Sequence, residues 1–225
     1  MAISPTVREV HEGIPLLAAQ SAFAASGVSL VLLVVLHFVK PELDPSWRTV
    51  SEYAIGPHGW MMTGCFIAQS LGCIALFIAI RPQAQNWVGY LGLFFLLAAA
   101  LGPALAAIFP TDLITTSPAT TSDTGRMHTI AGIIGLPSLP VAALLLSFHL
   151  TRKSAWSAKR NQIWAAAIVV VLSLVIMLAT VAALMPNDGT FGPEFPIGWP
   201  NRLQMLAYSG WVMALGWYAA KLARK

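Results

Sequence analysis

Charge is what this chain has least of. Only 10% of its 225 residues are Asp, Glu, Lys or Arg, against 57% hydrophobic ones. A soluble domain of ordinary composition carries about 25% charged residues, so a water-facing globule is excluded. Cysteine is nearly absent as well. Cys65 and Cys73 lie on one apolar run, where a helical rise places their Cα atoms about 12 Å apart, too far for a disulfide. Short alternating segments of the kind that build a membrane β-barrel are missing. No His-x-x-x-His pair and no Gly-x-Ser-x-Gly elbow occurs. The net charge of +4 is not a nucleic-acid signature, because the placement of the basic residues accounts for it.

Long apolar runs are present instead. Six are readable, near residues 16–39, 58–80, 88–109, 127–150, 162–185 and 202–221. Each is about 20 residues, enough to cross a hydrocarbon layer of about 30 Å as a helix. Lipid offers backbone groups no partners, so helices are required. The expected fold is an all-α, polytopic six-helix transmembrane bundle forming one domain over residues 1–225. The first run is too long for a cleavable signal segment. With the N-terminus in the cytoplasm, nine of the 13 basic residues fall inside, including Arg152, Lys153, Lys159, Arg160 and Lys221. Seven of the nine acids fall outside. The positive-inside rule then favours a plasma-membrane protein with both termini cytoplasmic.

The ends of the third and fifth runs match. Leu105 to Asp112 reads LAAIFPTD, and Val181 to Asp188 reads VAALMPND, an offset of 76 residues that also carries Arg126 onto Arg202. A fixed period of this kind indicates a duplicated helical hairpin, making helices three–four and five–six a parallel repeat. Each copy supplies an Asp–Arg pair: Asp112 with Arg126, and Asp188 with Arg202.

The polar chemistry lies in the connections near residues 40–57, 110–125 and 186–200. The densest stretch runs DPSWRTVSEYAIGPHGW from Asp44 to Trp60. The candidate ligand-binding residues are Asp44, Arg48, Ser51, Glu52, Tyr53, Asp112, Arg126, His128, Asp188 and Arg202. Candidate catalytic groups are His128, Asp112, Ser51 and His58, since a serine nucleophile needs an adjacent base. His58, Asp112 and His128 are the weaker candidates for a zinc site, which takes nitrogen and oxygen ligands. No cofactor is expected. Pro57 and Pro200 stand where a first helical position is expected, and Ser122, Asp123 or Thr124 can cap the fourth helix. Pro137 and Pro140 interrupt that helix, so neighbours must satisfy the carbonyls they free.

Asp44-Pro45-Ser46 with Ser51-Glu52-Tyr53, then Phe109-Pro110-Thr111-Asp112, then Gly125-x-x-His128, resembles the prokaryotic membrane family catalogued as domain of unknown function 998. The resemblance covers about residues 20 to 220. It implies a six-helix membrane protein and supplies neither substrate nor catalytic residue. A more distant similarity to the Frag1/DRAM/Sfk1 group points toward lipid handling. The leading expectation is a membrane protein that binds or handles a lipid or amphiphile at an outer-face polar pocket. The alternatives are an intramembrane hydrolase, metal-dependent or not, and an accessory subunit of a membrane complex. Expected partners are membrane lipid, and a second copy of the chain or another membrane protein.

Overall fold

A computed structural model describes residues 13–186 and 189–224. It is all-helical, with no strand among the described residues. Six long helices dominate: α1 (Leu16–Val39), α2 (Gly59–Ile80), α3 (Trp87–Ile108), α4 (Asp123–Leu150), α5 (Arg160–Leu184) and α6 (Gly198–Ala223). Helices α1 to α5 are long and apolar enough to cross a membrane. α6 is equally long, with 26 residues, but its first half carries Asn201, Arg202, Gln204 and Ser209, all buried. The bundle explains that polarity, because these side chains of α6 face protein.

Two of the long helices, α3 and α4, are capped at their starts by side chains. The side chain of Asn86 accepts from Gly89 N at 3.0 Å, capping α3. Ser122 does the same for α4, from Gly125 N at 3.0 Å. Such caps satisfy amides that have no partner within the helix. Pro57 and Pro200 do not open their helices. Gly56 and His58 take left-handed φ angles of 71° and 62°, so the chain turns sharply and α2 starts only at Gly59. Pro200 is the third residue of α6.

Packing closes a ring. α1 lies against α2 and α6, α3 against α2 and α4, and α5 against α4 and α6, while α2 also meets α6. The tightest approach is α3 on α4. A Cβ on Gly102 would stand 2.5 Å from Gly135 Cα, so the two backbones touch. At one end of the bundle sit the short connections 81–86 and 151–159, with Lys153 Nζ on Gln85 Oε1 at 2.8 Å and His149 Nε2 on Gln83 O at 2.8 Å. The other end, here termed the polar end, carries the connections 40–58, 109–122 and 185–197.

Pro140 lacks the N–H that Leu136 O would accept in an unbroken helix. That carbonyl receives Tyr208 Oη–H from α6 at 2.5 Å. The expectation that a neighbouring helix satisfies a freed carbonyl is met at this position.

Candidate functional site

The motif Ser51-Glu52-Tyr53 lies in a single 3-10 turn, Val50–Ala54. Glu52 is 1% exposed, and an isolated carboxylate would be costly there. Its partners come from three directions. Arg48 Nη2 stands 2.9 Å from Oε1, Ile114 N donates to Oε1 at 2.8 Å, and Thr49 N donates to Oε2 at 2.9 Å. The carboxylate therefore joins the turn to the connection after α3.

Arg202, 9% exposed, ties the same turn to α6. Its Nε donates to His37 Nε2 at 2.7 Å. Nη1 donates to the Arg48 and Gly198 carbonyls at 2.7 and 3.1 Å, and Nη2 donates to Tyr53 Oη at 3.0 Å. His37 Nδ1 faces Leu33 O at 2.7 Å. One ring nitrogen must donate and the other accept, which is the pattern of the neutral Nδ1–H tautomer. Asn201 Oδ1 accepts from Val50 N at 2.8 Å. Lys40 Nζ reaches the Tyr53 carbonyl at 3.3 Å and also that of Ile55. Glu52, Tyr53, Arg48 and Arg202 thus form a lock of intramolecular bonds, and none of the four lines the cavity of the bundle.

Asp112 is similarly engaged. Ser122 N donates to Oδ2 at 2.8 Å and Ser122 Oγ to Oδ1 at 2.9 Å. The carboxylate also sits where a Cβ on Gly125 would fall, against the positive end of α4, a favourable place for an anion. The expected Asp112–Arg126 pair does not form. Arg126 is 62% exposed at its side chain and lies 3.5 Å from Asp123 instead. Asp188 lies outside the described residues, and its expected partner Arg202 is held by the lock. Asp44 accepts from Ser46 N and Oγ at 2.8 and 2.7 Å, closing a local turn. His58 is exposed and contributes no side-chain cap to α2. Among the described residues, no three His, Cys, Asp or Glu side chains gather as they would around an ion, so His58, Asp112 and His128 are not one ligand set.

Two of the expected residues do meet at a cavity. Ser51 and His128 line a space of about 140 Å³ in the polar-end half of the bundle. Its floor and walls are small or apolar: Gly102, Ala106, Gly132, Gly135, Leu139 and Met205 among them. Cys65, Gln69, Tyr208, Ser209 and Asn201 add polar edges. Ser209 Oγ donates to Gln69 Oε1 at 2.8 Å. His128 Nδ1 is bonded to Phe109 O at 2.8 Å, which leaves Nε2 as the uncommitted nitrogen of the ring. Ser51 Oγ shares a hydrogen bond with Thr49 Oγ1 at 3.2 Å. Ser51 Oγ is bonded to Thr49 and not to His128, so the nucleophile–base hydrogen bond that would activate a serine is not made in this arrangement.

A family model described as Protein of unknown function (DUF998) matches residues 23–218. The chain belongs to the DUF998 family. No curated protein and no solved structure matches it. Gln69, Tyr208 and Ser209 of this DUF998 protein were not among the expected site residues. Their signal was present in the sequence, since polar side chains inside apolar helices are functional candidates by default.

Proposed function

We propose that the protein spans the membrane six times, with the polar end outward and both termini cytoplasmic, and that it holds part of a lipid or similar amphiphile in the cavity. One observation carries this reading. The cavity carries the uncommitted His128 Nε2 near the polar end and a mostly apolar lining, Gly135, Leu136 and Leu139 among its deeper walls, with Gln69, Tyr208 and Ser209 as polar groups at mid-depth. A largely apolar space with a few polar groups suits part of an amphiphile. Pockets that enclose a whole small ligand run to about 300–1,000 Å³. At about 140 Å³ this one accommodates a portion of the molecule. The 76-residue correspondence fits as a duplicated hairpin whose copies have diverged, with Arg126 at the surface and Arg202 in the lock.

The test is lipid retention. The protein purified in mild detergent is examined by native mass spectrometry, beside His128→Ala and Gly132→Leu. Gly132 lines the cavity, and a Cβ there would meet only Leu136 Cδ1 of its own helix, at 3.8 Å, so a larger side chain starts from open space and reduces the cavity. The parent should retain a defined amphiphile, and Gly132→Leu should lose it about tenfold or more. Equal retention by both, or none by the parent, rejects the proposal. A co-purifying membrane protein in place of lipid would favour the accessory-subunit alternative.

A further inference from the structure

We infer that the cavity opens sideways into the bilayer between α4 and α6, and that it receives a hydrocarbon chain of a phospholipid in the leaflet at the polar end. This deepens the amphiphile reading and rests on it. The end-on route is closed. The turn Val50–Ala54 lies over the cavity, and Val50 and Ser51 themselves line it. Asn201 and Arg202 of α6, Lys40 after α1 and Ile114 after α3 pin that turn from three parts of the chain. A water-borne molecule would have to break this lock to come in from the polar end.

The side wall is built differently. α4 and α6 both line the cavity, yet they meet only sparsely compared with the neighbouring helix pairs. The Tyr208–Leu136 hydrogen bond is a crossing between them. At the basic end α5 fills the space, burying Ile163, Ala167, Val170 and Ser173. Beyond Ser173 no residue of α5 is buried, through Leu184. The helix that closes the ring at one end therefore leaves it loose at the other.

Both helices present apolar side chains outward beside their cavity-lining residues. Ile133, next to Gly132 on α4, is 68% exposed, and Leu206, next to Met205 on α6, is 57% exposed. At membrane depth such a margin meets acyl chains, and no polar group has to leave water for a chain to pass. The cavity's size supports the same geometry. A volume too small for a whole lipid requires the rest of the molecule to stay outside, and the gap provides continuity with the bilayer.

The probe is a phosphatidylcholine with a diazirine at mid-chain, mixed into phosphatidylcholine proteoliposomes holding the full-length protein. Photolysis followed by peptide mapping should place label on the cavity segments around Gly132 and Met205, as well as on Phe94, a lipid-facing residue of α3 that is 62% exposed. In Gly132→Leu, cavity labelling should fall about tenfold or more while Phe94 labelling is unchanged. Label at Phe94 and none in the cavity overturns the lateral opening. Detergent-retained lipid together with that pattern leaves the binding site standing and rejects only the route. Absence of both retention and cavity label rejects the site as well.

Discussion

Replacing Tyr208 by phenylalanine removes one hydroxyl and leaves Leu136 O without its donor. The bond measures 2.5 Å and joins α6 to α4. In an ordinary helix the loss would be modest, because the carbonyl would keep its intrahelical partner. Here Pro140 has already removed that partner. An orphaned buried carbonyl costs about 1–3 kcal/mol, whereas interhelical hydrogen bonds in membranes average about 0.6 and reach about 1.7 kcal/mol. The doubly deprived carbonyl should lie toward the upper part of the membrane range, so Tyr208→Phe is expected to cost about 1–2 kcal/mol. Pro140→Ala restores an N–H to Leu136 O. In that background Tyr208→Phe should cost about 0.5 kcal/mol or less, giving a coupling of about 1 kcal/mol. The bond from Gln204 Nε2 to Tyr208 Oη, at 3.1 Å, is lost in both backgrounds and cancels. The assay is reversible unfolding of the four proteins in mixed micelles titrated with a denaturing detergent. An equal cost for Tyr208→Phe with and without Pro140 refutes the assignment of Tyr208 as the substitute donor.

Four further outcomes are expected. Gly102→Ala forces a Cβ to within 2.5 Å of Gly135 Cα and should destabilise by about 1–3 kcal/mol, while Gly64→Ala, whose Cβ would meet Leu32 Cδ1 at 3.4 Å, should be nearly neutral in the same melt. Arg202→Lys keeps the charge but not the planar fork; with His37, Tyr53 and the Arg48 carbonyl competing for fewer donors, a loss of about 2 kcal/mol or more is expected, and an unchanged melting temperature would contradict the lock. Backbone and then side-chain bonds from Ser46 hold the Asp44 carboxyl below the ordinary aspartate value, so the turn's contribution is present above that value and lost as pH falls through the lowered one; NMR titration should show Asp44 moving up toward normal in Ser46→Ala. For topology, single cysteines at the exposed positions Thr120 and Lys159 are treated with an impermeant thiol reagent outside intact cells, and only the first should react.

The helical class was legible because lipid leaves the backbone one economical solution, and the apolar runs need no period to announce it. The unsatisfied Leu136 carbonyl was legible too, from Pro140 alone. Its donor was not, since nothing local marks Tyr208 as the residue that faces it. The loop motifs show the sharper limit. Asp, Arg, Ser, Glu and Tyr crowded together indicate that buried polar groups will be satisfied, but the sequence does not say whether protein or ligand satisfies them. For Glu52 it is Arg48, Thr49 and Ile114, all from this chain. For His128 one nitrogen is taken and one is not, a difference set by where Phe109 O falls.

The lock at the polar end has a consequence for biosynthesis. Val50 and Tyr53 find partners in Asn201 and Arg202, 151 and 149 residues later in the chain. At about 5–20 residues per second, a ribosome needs about 8–30 s to make that interval. During that time the first connection has emerged without the groups that hold it, and Glu52 still lacks Ile114 for the first part of the wait. The order in which helices leave the translocon is then also an order of completion. The connection after α1 is synthesised well before α6, and its closure reports that α6 has arrived.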